Sequence, residues 1–272
     1  MIPIVYANAN LENPYDDGTI LGSLKDRFKI VKQGEIYVSE INLKITKVQL
    51  PLNVNKKAYI KNMKLAGAKS GSKDVLLAPK TDRLLDYYFY NNFQKSLFAY
   101  SVAKSAELIL RLKKKSIKNS CICIFDAADE INKQIIFEIA KRGNFIVLIS
   151  KNIRALRSIQ DYVMCQYGVT PVITSDFNFA FKNADFIVSS ASYSIDSSIP
   201  VWYVDNKPKP INRLKCSAND VVYRTPWNVP ELIMTPEIVG AILSEMQERD
   251  IEKSLKYNDI FLDEIRFNDL IL

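Results

Sequence analysis

Histidine is absent from all 272 residues. Without imidazole, a general acid or base here has to be Asp, Glu, Lys, Tyr or Cys, and a metal site has to lean on carboxylates. Glycine is scarce, with 8 in the chain. Cysteine is scarcer: Cys121, Cys123, Cys165 and Cys216 show no zinc spacing, and the first two lie in an apolar run where Cys behaves as a small hydrophobe. No apolar run reaches the length of a membrane span, and Met1-Ile2-Pro3-Ile4-Val5 has neither a basic start nor a cleavage site. The expectation is a cytoplasmic protein, of bacterial type, without a membrane partner.

What is present is ordinary globular composition, 48% apolar and 25% charged. The net charge of +7 would suit nucleic acid, but the lysines are scattered. The dense run Lys113-Lys114-Lys115 with Lys118 closes a helix, where cations complement the macrodipole. A solvated helix end accounts for it, and nucleic acid is not expected as a partner.

The first ninety residues read as a smaller α/β lobe. Pro3 to Ala7 is strand-like, Tyr37 to Leu50 alternates apolar and polar as one strand would, and Lys56 to Leu65 is helical. A loop punctuated by Gly67, Gly71 and Pro79 surrounds the apolar segment Val75 to Ala78. Gln94 to Lys114 is a helix with Leu97, Phe98, Val102, Ala106, Ile109 and Leu112 on one face. The boundary between two domains, 1–95 and 96–272, is placed within it.

From Ser120 strands and helices alternate. Cys121 to Phe125 is a strand, followed by a helix to Lys141 with Ile131, Ile135, Ile136 and Ile139 aligned. Phe145 to Ile149 is the next strand, followed by a helix from Ile153 to Tyr167. Val172-Ile173, Asp185 to Ser189 and Val201 to Val204 supply further strands, with a helical turn near Phe179 to Lys182. Pro236 to Arg249 reads as a helix, and a second short helix is expected to end near Leu272. Uniformly apolar strands separated by helices imply a parallel sheet covered on both faces, so the fold class is α/β: a Rossmann-like doubly wound parallel sheet after a smaller N-terminal α/β lobe.

Asp126 to Asn132 (Asp-Ala-Ala-Asp-Glu-Ile-Asn) occupies the strand-to-helix turn where a dinucleotide fold carries Gly-x-x-Gly-x-x-Gly. Together with Gly143, Ser150-Lys151-Asn152, Ala184 to Ser190 and Val204-Asp205-Asn206, this order resembles the amino-acid-dehydrogenase-like Rossmann domains. That group includes shikimate dehydrogenase, glutamyl-tRNA reductase, and the predicted amino acid dehydrogenases and fatty aldehyde reductases. The resemblance covers roughly residues 95 to 260. It implies that the end of Ala184 to Ser190 lies against a nicotinamide, that Trp202 to Pro208 is the following family strand, and that Tyr223 to Arg249 corresponds to a C-terminal helix of the aldehyde reductases. The cysteine nucleophile of that last group would fall near Ile233-Met234-Thr235, where no cysteine stands; Cys216 is about twenty residues away.

Laid on the family turn, Ala127 and Ile131 are kept and the three glycines become Asp126, Asp129 and Asn132. Asp and Asn are the non-glycine residues that best tolerate left-handed backbone, so the turn is expected to survive. A pyrophosphate is not: each carboxylate about 5 Å from a phosphate charge costs roughly 3 kcal/mol at an effective dielectric of 20. NAD(P) is therefore disfavoured, and the cofactor is left unassigned. The residues expected to line the ligand site are Asp126, Ala127, Asp129, Ile131, Ser150, Lys151, Arg154, Ser189 and Ser190. Lys151, Arg154 and Arg157 would hold a 2′-phosphate if one were present; the simpler account is a solvated helix start.

Four other constellations admit two readings each. Asp126, Asp129 and Glu130 could ligate a divalent cation, or an aspartate could cap the next helix. Tyr100 and Lys104 match the Tyr-x-x-x-Lys pair of short-chain dehydrogenases, but precede the nucleotide strand instead of following it. Lys69, Ser70, Ser72, Lys73 and Asp74 would face a substrate cleft or be a solvated loop. Trp202, Tyr203 and Trp227 fit a core better than a ligand platform. The leading expectation is a non-catalytic or cofactor-independent binding or regulatory protein derived from an amino-acid-dehydrogenase-like ancestor. It would take an unknown small molecule or protein and could self-associate. The alternative is an NAD(P)-dependent oxidoreductase, of amino acid dehydrogenase or aldehyde reductase type, with an atypical turn. No metal site is assigned.

Overall fold

A computed structural model describes residues 4–9, 13–70, 76–79, 81–191, 194–195, 198–210, 217–229, 231–246 and 250–272. Pro3, Gly71 to Val75, Cys216 and Arg249 lie outside the described residues. The chain forms two units, residues Met1–Gln94 with Tyr223–Phe261, and Lys95–Val222 with Leu262–Leu272. By contacts, Tyr223–Phe261 group with the first unit.

In the first unit, β1 (Ile4–Ala9) is followed by α1 (Ile20–Lys29), whose cap Thr19 accepts the Gly22 N–H at 3.0 Å. Tyr37 to Leu50 is two strands, not one: β2 (Val31–Val38) and β3 (Leu43–Leu50) pair antiparallel across a turn at Ser39–Ile41. Asn42 closes that turn with φ +49°, a conformation its short polar side chain tolerates, which alternation alone does not reveal. β1 joins β3 in parallel, giving the order β1-β3-β2. α2 (Lys56–Lys69) covers this sheet, burying Tyr59, Met63 and Ala66 against Val5, Val48 and Leu50. Each large apolar side chain so buried contributes about 1.5–3 kcal/mol. A short α3 (Arg83–Asp86) precedes α4 (Asn92–Leu112), which runs from the first unit into the second.

The second unit is built on β4 (Cys121–Phe125), α5 (Glu130–Ala140), β5 (Phe145–Ile149), α6 (Ile153–Tyr167), β6 (Val172–Thr174), α7 (Phe177–Asn183), β7 (Phe186–Ser189), β8 (Val201–Tyr203) and β9 (Ser217–Ala218). Its six strands lie in the order β6-β5-β4-β7-β8-β9, every pair parallel. The unit's first strand is central and the chain reverses its direction of winding beside it, which is the dinucleotide-fold order. Ile122, Cys123, Ile124, Ile187 and Val188 are fully buried, as strands covered on both faces require. α6 ends where Gly168 adopts φ +69°, a left-handed cap.

The strand β10 (Asp220–Arg224) leads to α8 (Pro236–Leu243) and α9 (Ile251–Tyr257). No helix follows. β11 (Phe261–Phe267) and β12 (Leu270–Ile271) form a hairpin that extends β10 in the order β10-β11-β12. The two-residue turn Asn268-Asp269, with Asn268 at φ +55°, favours a hairpin over the expected final helix. Trp202, Tyr203 and Trp227 are buried, in line with a core role. Among the described residues no helix is long and apolar enough to cross a membrane.

Candidate functional site

In this topology ligands bind outside the carboxyl ends of the central strands, where the winding reverses between β4 and β7. The β4 strand ends at Phe125, and Asp126 turns the chain with φ +50°. This is the conformation the first family glycine would supply. The Ala127 N–H donates to Ile149 O at 3.0 Å, tying the turn to β5, and the Asp129 N–H donates to Asp126 O at 2.8 Å.

Only the first of the three replacements uses left-handed backbone. Asp129 is extended (φ −67°, ψ 141°) and Asn132 lies inside α5. Asp129 holds the N-cap position, yet its carboxylate makes no capping hydrogen bond. Instead Oδ2 accepts from the Ser190 hydroxyl at 2.7 Å, across the crevice from the end of β7. Asn132 is fully buried where the third glycine would allow close packing. Its amide Nδ2 donates to Asp126 O (2.8 Å), Phe125 O (3.2 Å) and Ser190 Oγ (3.1 Å). Among the described residues its Oδ1 has no hydrogen-bond partner.

Asp126, Asp129, Asn132 and Ser190 thus form one polar cluster at the winding reversal. Burial lifts the Asp126 carboxyl above its ordinary range, the neighbouring Asp129 charge adds to this, and Lys151 opposes it. Such a pair of carboxylates favours a cation or hydrogen-bond donors and repels phosphate.

The remaining expected residues fall around this cluster. Ser150 is buried at the end of β5 and its hydroxyl accepts the Asn152 N–H at 3.1 Å; Asn152 in turn caps α6 through Ala155 at 3.2 Å. Lys151 and Arg154 are exposed, and Ile131 packs inward from α5. The Ser189 hydroxyl, fully buried, accepts from Ala191 N at 3.1 Å and shapes the loop after β7. Glu130 is exposed and faces Lys133 at 3.6 Å. Among the described residues no group of three or more Cys, Asp or Glu side chains gathers as a metal site would require, so the divalent-cation reading of Asp126, Asp129 and Glu130 is withdrawn.

The other constellations are absorbed by structure. Arg142 stacks over the Tyr100 ring at 5.1 Å, while Lys104 pairs with Glu107 at 3.0 Å on the same helix. Lys69 ends α2 and donates to Ile30 O at 2.5 Å; Ser70 returns its hydroxyl to Ala66 O at 2.9 Å. Ser72, Lys73 and Asp74 lie outside the described residues. Sequence reasoning gave no role to two further polar features. Asp205, at the end of β8, is fully buried with Lys209 at 3.0 Å, and Lys209 also lies 5.2 Å over the Tyr203 ring. In the first unit, the fully buried Asp86 accepts from Tyr59, from the Thr81 hydroxyl at 2.7 Å and from the Thr81 N–H at 3.0 Å. Burial raises its carboxyl to about 7. The Val-Asp-Asn pattern after β8 was the one signal for the first; the second has none.

No family model matches the chain. Among curated proteins, a very-long-chain 3-oxoacyl-CoA reductase of Vanderwaltozyma polyspora is 31% identical over 90 residues, 27% of this chain and 26% of the relative. The chain thus matches about a quarter of that relative's length. Solved structures it is similar to include shikimate 5-dehydrogenase from Listeria monocytogenes, with shikimate and NAD (9% identity, 94% and 96% of the two chains, TM-score 0.40). Others are L-tryptophan dehydrogenase from Nostoc punctiforme (10%, 94% and 78%, TM-score 0.34) and a ligand-free 5-ketofructose reductase of Gluconobacter sp. strain CHM43 (9%, 75% and 79%, TM-score 0.38). The names span dehydrogenases and reductases, and the dinucleotide fold itself rests on the strand order above.

Proposed function

We propose that the second unit is a Rossmann-type ligand domain of dehydrogenase descent whose crevice takes a small cationic or donor-rich ligand in place of a pyrophosphate. Its setting is a non-catalytic or cofactor-independent role in a bacterial cytoplasm. One observation carries this: the turn keeps left-handed backbone at Asp126, the first glycine position, and carries a second carboxylate, Asp129, three residues on. The proposed lining is Asp126, Ala127, Asp129, Ile131, Ser150, Lys151, Arg154, Ser189 and Ser190. The domain division proposed with it is 1–95 and 96–272.

A second reading has its own support. The curated relative, matched over about a quarter of either chain, is a reductase by name. That name favours an NAD(P)-dependent oxidoreductase with an atypical turn over a non-catalytic protein. In that case Lys151 and Arg154 would receive the 2′-phosphate of NADP. Isothermal titration with NAD+ and NADP+ separates the two. The first reading expects no binding below millimolar concentration, and gain of binding in Asp126→Gly/Asp129→Gly. Micromolar affinity of the unaltered chain for either nucleotide establishes the second.

A further inference from the structure

The helix α1 is amphipathic in reverse. Its apolar residues Ile20, Leu21, Leu24 and Phe28 are 84%, 72%, 50% and 79% exposed, while Gly22 and the charged Asp26 are buried. Asp26 is the anchor: its carboxylate accepts from Asn53 at 2.9 Å, from Asn62 at 2.8 Å and from Tyr15. With the polar face fixed inward, helical geometry brings the four apolar side chains together on the outward face. Arg27 borders this stripe on one side and Lys25 on the other.

The exposed charge carried by the two helices has one sign, and the acids nearby, Asp16 and Asp17, lie in the turn before α1. α1 and α2 together expose Lys25, Arg27, Lys29, Lys56, Lys57, Lys61, Lys64 and Lys69, and their lone acidic residue is the buried Asp26. Between the two helices runs an open groove of about 340 Å³, with Ile20, Leu24 and Leu65 in its wall and Arg27, Lys57 and Lys61 beside them. A second copy of the same face would set these cations against each other, so charge argues against self-association here. A convex apolar ridge flanked by lysine and arginine is instead the pattern of a helix that lies in a bilayer interface, with apolar side chains among the acyl chains and cations at anionic headgroups.

We infer that α1, with the basic face of α2, is a docking surface for an anionic lipid bilayer. This is peripheral attachment; it requires no spanning helix and is independent of what the Rossmann crevice holds. Phe28 and Leu21 insert, Lys25 and Arg27 sit at headgroup level, and the groove receives one phosphate- or carboxylate-bearing headgroup beside Lys57 and Lys61.

Flotation of the full chain with vesicles of phosphatidylcholine alone, or mixed with phosphatidylserine, tests it. Binding is expected on the mixed vesicles and to fall steeply with added salt. Leu21→Ser with Phe28→Ser removes two inserted side chains and is expected to weaken partitioning about a hundredfold or more. Lys25→Gln with Arg27→Gln is expected to weaken it about tenfold or more. All four side chains are exposed, so both variants should keep the parent circular dichroism. The inference is overturned by absence of flotation, by equal binding to neutral vesicles, or by mixed-vesicle binding that either variant leaves unchanged. A self-association, seen by analytical ultracentrifugation, that Leu21→Ser/Phe28→Ser abolishes would also overturn it, assigning the ridge to a second copy.

Discussion

Two aspartates stand just past parallel strands of one sheet and have opposite fates. Asp126 follows β4, is partly exposed and neighbours a second carboxylate; Asp205 follows β8, is fully buried and is met by Lys209. Both positions lie at the carboxyl edge where such folds place ligands. The environment, not the residue type, separates them. Around Asp205 the protein supplies its own cation, so the charge is already answered. Around Asp126 it supplies a second carboxylate and a serine, with the exposed Lys151 as a more distant counter-charge. A pair of acids without a bonded cation at an accessible edge is what a ligand site looks like, and a buried ion pair is what a structural lock looks like.

The sharpest way to break this contrast is to remove the cation from the lock. Lys209→Met leaves Asp205 buried without its ammonium, and a loss of about 3–5 kcal/mol is expected in urea unfolding. A loss below about 1 kcal/mol would show that water reaches Asp205 and that the two sites are alike.

Asp86 offers a third solution, a proton. Its folded pKa is about 7 against an ordinary 3.8, with burial the main cause. Because the unfolded chain ionises first, the stability this group contributes is full below about pH 4 and is lost as pH rises towards about 7. That shift corresponds to a loss on the order of 4 kcal/mol across the window. Asp86→Asn should flatten this part of the profile relative to the parent when unfolding is followed at several pH values. Parallel profiles would mean that Asp86 stays ionised in the folded chain.

Two smaller effects probe the crevice. At φ +50°, Asp126→Val places a β-branched side chain in left-handed backbone and is expected to cost about 1–2 kcal/mol, while Asp126→Gly costs nothing or stabilises slightly. Chemical denaturation of the pair reads the difference, and equal stabilities would deny the turn its glycine-like geometry. The smallest effect is expected from Ser190→Ala, about 1 kcal/mol, because Asp129 is exposed enough to turn to water and Asn132 retains two carbonyl acceptors. A much larger loss would make the Ser190 link a lock as well.

Much of the second unit is legible in sequence because periodicity and burial agree there. Cys121 to Phe125 and Phe145 to Ile149 are apolar throughout, and their helices carry apolar faces that point to the core. The turn at Asp126 is legible for a stereochemical reason, since few residue types accept its backbone. The same reasoning overreached at Asp129 and Asn132, whose roles depend on Ser190, distant in sequence and brought near by β7. Where pattern and burial disagree, sequence reading goes blind. α1 drew no notice because its apolar residues face outward and its buried face centres on an aspartate. The Phe261–Phe267 strand reads as helix in sequence because seven residues of mixed polarity carry too few periods to distinguish the two; the Asn268-Asp269 turn decides for a hairpin. Asp86 has no local signature: its partners are Tyr59 and Thr81, and only folding gathers them.

Asn268 has one more consequence. At the tip of the β11–β12 turn, its side chain accepts the Lys209 N–H at 3.0 Å and donates to Lys209 O at 2.9 Å, and its own N–H is received by Asn219 at 2.8 Å. The lysine that neutralises Asp205 is therefore clamped by a residue synthesised about sixty positions later, after the chain has crossed back through Tyr223–Phe261 of the other unit. A ribosome that has made β4 through β9 has made every strand of the large sheet but not its fastener.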